Sequence, residues 1–115
     1  MQRLIQLAFW AAILLTLYLT LKPITVPAPG SDKTQHLVTF GLLMVGAALA
    51  YPRARPWPLA AALSGLGAAI EVAQPWFGRA CELLDWFADT AGVVIGLVVI
   101  LAWKTLLAKR RNPAS

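Results

Sequence analysis

The sequence has little charge, a single histidine and a single cysteine. Only 13% of its 115 residues are charged, whereas soluble domains carry about a quarter. Hydrophobic residues make up 59% of the chain. The lone Cys81 excludes an intramolecular disulfide and a metal site built from several cysteines. This composition excludes an ordinary soluble domain and indicates an integral membrane protein.

Four long runs of apolar residues account for most of the chain. A helix needs roughly 20 mostly apolar residues to cross a bilayer core of about 30 Å. The runs predict transmembrane helices at about residues 4–21, 32–51, 59–77 and 85–107. None has the period-two alternation of a strand. We therefore expect an all-α bundle of four transmembrane helices that forms one domain over residues 1–115.

Proline and glycine mark the connections between these runs. Residues 22–30 hold three prolines and a glycine, and proline cannot continue a helix because it lacks the amide donor. A basic, proline-rich connection follows at 52–58, and Pro75 predicts a kink or an early end of the third helix. The first run, led by Arg3, also has features of a secretory signal peptide. We expect a retained helix, because the run is longer than a typical signal core.

Lysine and arginine are distributed unevenly between the two ends of this bundle. Seven lie on the side of the termini and the 52–58 connection, and three, Lys22, Lys33 and Arg79, lie on the other. Basic residues concentrate in cytoplasmic connections, so we expect both termini to be cytoplasmic in a bacterial inner membrane. The basic C-terminal tail suits contact with anionic headgroups of membrane lipids. No nucleic-acid-binding module accompanies the net charge of +5, and nucleic acid is not expected as a partner.

Three of the predicted helices carry a polar stripe, formed by residues three or four positions apart on one helical face. The stripes are Asp32 and His36 on the second helix, Glu71 and Gln74 on the third, and Asp85 and Asp89 on the fourth. A charge at membrane depth costs several kcal/mol unless it is paired or hydrated. We therefore expect the stripes to face one another in a polar cavity open to the outer side, with Glu71 deepest. Glu82 is predicted to be a solvated loop charge.

Small residues predict where the helices approach closely. Gly92 and Gly96 form a small-xxx-small pattern on the fourth helix, and the third helix is rich in alanine and glycine, including Gly65. Helices in lipid pack closely through such residues. Two interpretations remain open, a contact inside the bundle and a contact between two copies of the chain.

The polar residues also form a recognisable pattern. It reads D-K-x-x-H-x-x-x-F from Asp32, E-x-x-Q from Glu71, then Arg79, then D-x-x-x-D-x-x-G from Asp85. This pattern resembles that of the VanZ-like family of small membrane proteins, which usually has Asn where this chain has Asp89. The family's name comes from an accessory factor for resistance to the glycopeptide antibiotic teicoplanin. The resemblance implies a multi-helix protein of the cell envelope, without specifying a reaction.

The leading functional hypothesis is binding or modification of an amphipathic ligand that enters from the outer leaflet. A lipid-linked envelope precursor or a lipoglycopeptide would fit, because each joins a polar head to an acyl chain. The predicted ligand-binding residues are Asp32, Lys33, Gln74, Arg79 and Asp89. In this hypothesis the two basic residues neutralise a phosphate or a carboxylate.

Two other hypotheses remain open. The first is an enzyme that acts on a lipid headgroup, with His36, Glu71 and Asp85 as acid–base groups. The same side chains could hold a divalent cation through a histidine nitrogen and carboxylate oxygens, although the sequence specifies neither a cofactor nor a set of metal ligands. The second is a structural role, in which the polar residues hold the helices in register or the chain is a small partner subunit. The oligomeric state stays open in all three.

Overall fold

Helices form almost the whole of the described chain. The computed structural model describes residues 1–22, 31–78 and 82–111, without the side chains of residues 31 and 32. The helices are α1 (Gln2–Leu21), α2 (Ser31–Ala50), α3 (Pro56–Ala73) and α4 (Leu83–Arg111), with a short 3₁₀ helix at Gln74–Phe77. No strand occurs within these described ranges. The prediction of an all-α chain is confirmed.

Proline and glycine set the ends of the helices in the second half of the chain. Helix α3 begins at Pro56, because the fixed φ of proline suits the first helical position, where no amide donor is needed. Pro75 lies in the 3₁₀ helix, which ends on Gly78 with φ +76°. Glycine adopts this left-handed conformation without a Cβ clash. The predicted early end of the third helix at Pro75 is therefore confirmed.

Helix α2 lies at the centre of the bundle and contacts each of the other three helices. Its residues Phe40 and Met44 are fully buried and pack in one core with Val93 of α4. Two polar contacts connect α3 to α4. The Trp86 indole donates to the Ser64 carbonyl at 3.0 Å, and the hydroxyls of Ser64 and Thr90 lie 2.9 Å apart.

Glycine permits the closest contact of the bundle, between α2 and α4. A Cβ on Gly92 would lie 2.2 Å from the carbonyl oxygen of Leu37 and 3.0 Å from the amide nitrogen of Gly41. One on Gly96 would lie 2.8 Å from the Gly41 carbonyl oxygen. The two backbones therefore touch along this face, as glycine allows between helices in lipid. Within this structure, Gly92 and Gly96 make a contact inside the bundle.

Three helical segments are long and apolar enough to cross a membrane: Gln2–Leu21, Pro56–Phe77 and Leu83–Arg111. Only 11% to 28% of their apolar windows is buried, so most apolar side chains face outward, as in a bundle surrounded by lipid. Helix α2, predicted as a fourth span, is not among the three. Its first turns carry Lys33, Gln35 and His36, and much of its apolar surface faces the other helices.

Hydrogen bonds attach α1 to the bundle at both of its ends. At its start, the Gln2 amide donates to the carbonyls of Leu49 and Ala50 at 2.9 and 2.6 Å. Gln6 donates to the same Ala50 carbonyl at 3.0 Å. At its end, the Gln74 amide donates to the Thr20 carbonyl at 3.1 Å. Between these bonds, an apolar cleft of about 420 Å³ separates α1 from α2.

Candidate functional site

The polar stripes of α2, α3 and α4 meet at one end of the bundle. The start of α2, the end of α3 and the start of α4 coincide there because α3 runs antiparallel to the other two. The buried residues at this end, with their exposed fractions, are His36 (7%), Glu71 (4%), Gln74 (1%), Asp85 (4%) and Asp89 (0%). We call these five residues the polar cluster. The structure thus brings together most of the predicted site residues.

His36 of α2 and Asp89 of α4 form the central contact of the polar cluster. Nδ1 of His36 lies 2.5 Å from Oδ1 of Asp89, so the ring N–H can donate to the carboxylate. On the other side of the ring, Nε2 lies 4.0 Å from Oδ2 of Asp85. A carboxylate bonded to one ring nitrogen fixes the orientation of the imidazole and leaves the other nitrogen for chemistry.

Lys33 is ion-paired at the outer edge of the polar cluster. Its Nζ lies 2.5 Å from Glu82 Oε2 and 2.6 Å from Asp85 Oδ1. Lys33 was expected to neutralise an anionic headgroup, whereas in the structure it neutralises carboxylates at the start of α4. Glu82 was expected to be a plain loop charge, and although its side chain is half-exposed, it forms this ion pair. As predicted, Glu82 is a solvated charge outside the helices, and the ion pair with Lys33 adds to that prediction.

Three acceptor oxygens in the polar cluster are buried without a donor. The Glu82 backbone N–H donates to Glu71 Oε2 at 3.0 Å. The other Glu71 oxygen, Oε1, has no hydrogen-bond partner in the described part of the chain. The same holds for Oε1 of Gln74 and Oδ2 of Asp89. Buried polar atoms usually have a partner, so these three oxygens are candidate acceptors for a donor from outside the described residues.

Gly67 makes room for the Asp89 carboxylate and was missed by the sequence analysis. A Cβ at position 67 would lie 2.8 Å from Asp89 Oδ2 and 3.2 Å from its Cβ. Gly67 precedes Glu71 by four residues and therefore shares its helical face. The spacing of four residues was the feature of the sequence that could have identified Gly67. Its role becomes clear only when the residue that faces it from α4, Asp89, is known.

The charge of this region is predominantly negative. Four carboxylates, those of Glu71, Glu82, Asp85 and Asp89, accompany one lysine and one histidine among the described residues. Lys33 lies against Glu82 and Asp85, and among the described residues His36 lies close to both Glu71 and Asp89. Such a site suits a cation or a group rich in hydrogen-bond donors.

No protein-family model, curated protein or solved structure matches this chain. The resemblance to the VanZ-like family therefore stays a prediction.

Two predicted site residues and one predicted feature remain to be placed. Arg79 and the side chain of Asp32 lie outside the described part of the chain. The predicted feature was an open polar cavity. In the structure the five side chains of the polar cluster are buried.

Proposed function

We propose that this chain is a membrane protein of the cell envelope that binds the headgroup of an amphipathic ligand in the polar cluster. The observation that carries this proposal is a set of three buried acceptor oxygens, on Glu71, Gln74 and Asp89, that meet no donor among the described residues. Each unsatisfied buried group costs about 1–3 kcal/mol. Packing alone does not require three of them at one end of the bundle, whereas a ligand that supplies donors recovers this free energy.

The chemistry of these oxygens defines the preferred headgroup. Acceptors require hydroxyl, amide N–H or ammonium donors, which sugars and peptides provide. The ion pair of Lys33 with Glu82 and Asp85 argues against a bare phosphate as the main contact. A glycan- or peptide-bearing lipid, such as a lipid-linked envelope precursor or a lipoglycopeptide, fits these requirements.

The cleft between α1 and α2 supports a ligand with an acyl chain. Its apolar lining extends from Ile5 and Leu49 at one end to Leu19 and Thr39 at the other. Thr39 follows His36 by three residues, and Leu19 precedes Thr20, whose carbonyl accepts the Gln74 amide. A chain in this cleft would therefore run from the vicinity of the polar cluster toward the opposite end of the bundle.

Topology supports a polar cluster that faces the outside of the cell. The exposed Arg53 and the basic last turn of α4 lie at the end opposite the polar cluster, and basic residues favour the cytoplasmic side. Helix α2 has 20 residues, which span about 30 Å, and it connects two segments that are apolar enough to cross. We therefore propose four spans with both termini cytoplasmic, and the VanZ-like pattern favours a bacterial inner membrane.

A second candidate function is acid–base catalysis on the same headgroup. The contact of 2.5 Å between His36 Nδ1 and Asp89 Oδ1 favours it, because a carboxylate that orients an imidazole is a common arrangement of a general base. Turnover of a lipid-linked sugar by the purified protein, abolished by His36→Ala, would select the enzyme over the binding protein.

The test of the proposed function uses two substitutions in the polar cluster and one matched control. We expect the His36→Ala and Glu71→Gln variants to insert normally into the membrane. In an antibiotic-susceptibility or envelope-stress assay, however, cells that express either variant should lose the effect that the wild-type protein produces. Glu82→Gln removes the same charge as Glu71→Gln from a half-exposed position and should retain activity. Membrane fractionation and circular dichroism check insertion and folding.

Two results would contradict the binding function. Wild-type activity of both variants would remove the polar cluster from any ligand site. The second result is loss of membrane insertion or of helical structure in both variants, with activity reduced in proportion to the amount of inserted protein. This would assign the polar cluster to helix packing instead.

A further inference from the structure

We infer that His36, Glu71 and Asp89 bind a divalent transition-metal ion, with Zn²⁺ and Mn²⁺ as the fitting ions. The three residues come from three different helices, and all three are buried. One potential ligand atom from each lies within 4.8 Å of the other two. Two of the residues, Glu71 and Asp89, also carry an oxygen without a hydrogen-bond partner in the described part of the chain.

The distances between these three candidate ligand atoms are close to the distances between ligand atoms around a bound metal ion. Ligand atoms at about 2.1 Å from an ion lie at most about 4.2 Å from one another, so the present separation of up to 4.8 Å closes by small side-chain rotations. Adjacent ligands around an ion lie about 3 Å apart. With Nδ1 of His36 as the ligand atom, its contact of 2.5 Å with Asp89 Oδ1 would open slightly on binding, and the ring proton would move to Nε2.

The charges of the polar cluster favour a cation at this position. In the described part of the chain, the carboxylates of Glu71 and Asp89 are buried beside an imidazole, and buried carboxylates are expensive in a medium of low dielectric constant. Among the described residues, Lys33 contacts Asp85 and Glu82 at the outer edge of the polar cluster. An ion of charge +2 balances Glu71 and Asp89.

The donor set determines which ions fit. An imidazole suits zinc, and carboxylates also suit manganese. The Glu82 backbone N–H holds the second oxygen of Glu71 at 3.0 Å, as outer contacts commonly orient metal ligands. Three protein ligands leave coordination positions open. This inference deepens the proposed function, on which its biological role rests, since an oxygen of the headgroup can occupy an open position.

The test measures metal binding by the full-length protein in detergent micelles after treatment with a chelator. We expect isothermal titration calorimetry with ZnCl₂, and electron paramagnetic resonance with MnCl₂, to give one ion per chain. Asp89→Asn should weaken binding roughly 100-fold, because it replaces a charged carboxylate ligand with a neutral amide. Glu82→Gln changes the net charge equally without removing a ligand and should stay within about threefold of the wild type. If Asp89→Asn does not fold, Glu71→Gln replaces it.

Two results would overturn the metal site. The first is a failure of the wild-type protein to bind either ion saturably, a result that is obtained without any variant. The second is equal weakening by Asp89→Asn and Glu82→Gln, which would indicate general attraction to negative charge. The proposed function fails separately. Metal binding by the wild type together with normal activity of both His36→Ala and Glu71→Gln would refute the proposed function alone. Loss of activity in both variants, without metal binding by the wild type, would refute the metal site alone.

Discussion

At the scale of single residues, the two oxygens of Asp89 have different surroundings. Oδ1 contacts His36, whereas Oδ2 lies toward Gly67, where the missing side chain leaves it space. The position of the carboxylate therefore depends on a glycine that carries no chemistry of its own. Gly67 is a positioning residue, which acts on the polar cluster through Asp89.

Substitution of Gly67 tests this dependence. We expect Gly67→Ala to displace the Asp89 carboxylate, since the new Cβ would lie 2.8 Å from Oδ2. Metal affinity should fall about tenfold or more, and activity in the susceptibility assay should fall with it. Gly65→Ala is the control on the same helix, because a Cβ there meets nothing within 4 Å. Equal behaviour of the two variants in the calorimetric titration would disprove the positioning role.

The sequence predicted much of the polar cluster but not all of its contacts. His36, Glu71 and Asp89 were found because charged groups in apolar helices at spacings of three and four must share faces. Gly67 and Glu82 were missed for different reasons. The role of a glycine depends on what faces it from another helix, and Glu82 acts on Glu71 through its backbone, which any residue has.

At the scale of helices, the contact of α2 with α4 governs the geometry of the site. Lys33, His36 and Gly41 on α2 meet Asp85, Asp89 and Gly92 on α4. The two helices run parallel through these contacts, and the glycine contact lies directly beside the polar pairs. Any increase in the distance between the helices therefore separates His36 from Asp89.

Gly92→Ala should separate these helices. Its Cβ would lie 2.2 Å from a backbone oxygen of α2, which cannot move without the helix, and such overpacking costs about 1–3 kcal/mol. Gly65→Ala, again in open space, should leave stability unchanged or raise it by up to about 1 kcal/mol. Unfolding in mixed micelles with increasing dodecyl sulfate, followed by circular dichroism, measures both. A stable Gly92→Ala variant would contradict the close contact.

The ends of the helices were predicted less well than their existence. Long apolar runs reveal a helix, but α4 continues through Lys109, Arg110 and Arg111, where hydropathy predicted its end at about 107. Basic residues are favourable in a last turn because they face the negative end of the helix dipole. Hydropathy does not register this contribution. Hydropathy also fails to describe helix α2. The neighbouring helices, and not its own composition, determine how much of its surface is covered.

At the scale of the whole molecule, the proposed orientation predicts which end of the bundle is accessible from outside the cell. In a Cys81→Ser background, a cysteine introduced as Trp76→Cys lies at the end with the polar cluster, and Arg53→Cys lies at the opposite end. Both positions are exposed. We expect a membrane-impermeant maleimide to label only the first in intact cells, and both after permeabilisation. The reverse pattern would place the polar cluster in the cytoplasm.

The attachment of α1 has a consequence for the volume of the cleft beside it. Hydrogen bonds hold this helix at Gln2, Gln6 and Trp10 and again at Thr20. The stretch that lines the cleft also contacts α2 through apolar groups such as Phe9 against Gly46. Apolar contacts between helices in lipid are exchanged for contacts with acyl chains at little cost. In the proposed binding function, the part of α1 between Trp10 and Thr20 would therefore bow outward around a thicker or branched chain while its hydrogen-bonded ends keep their register.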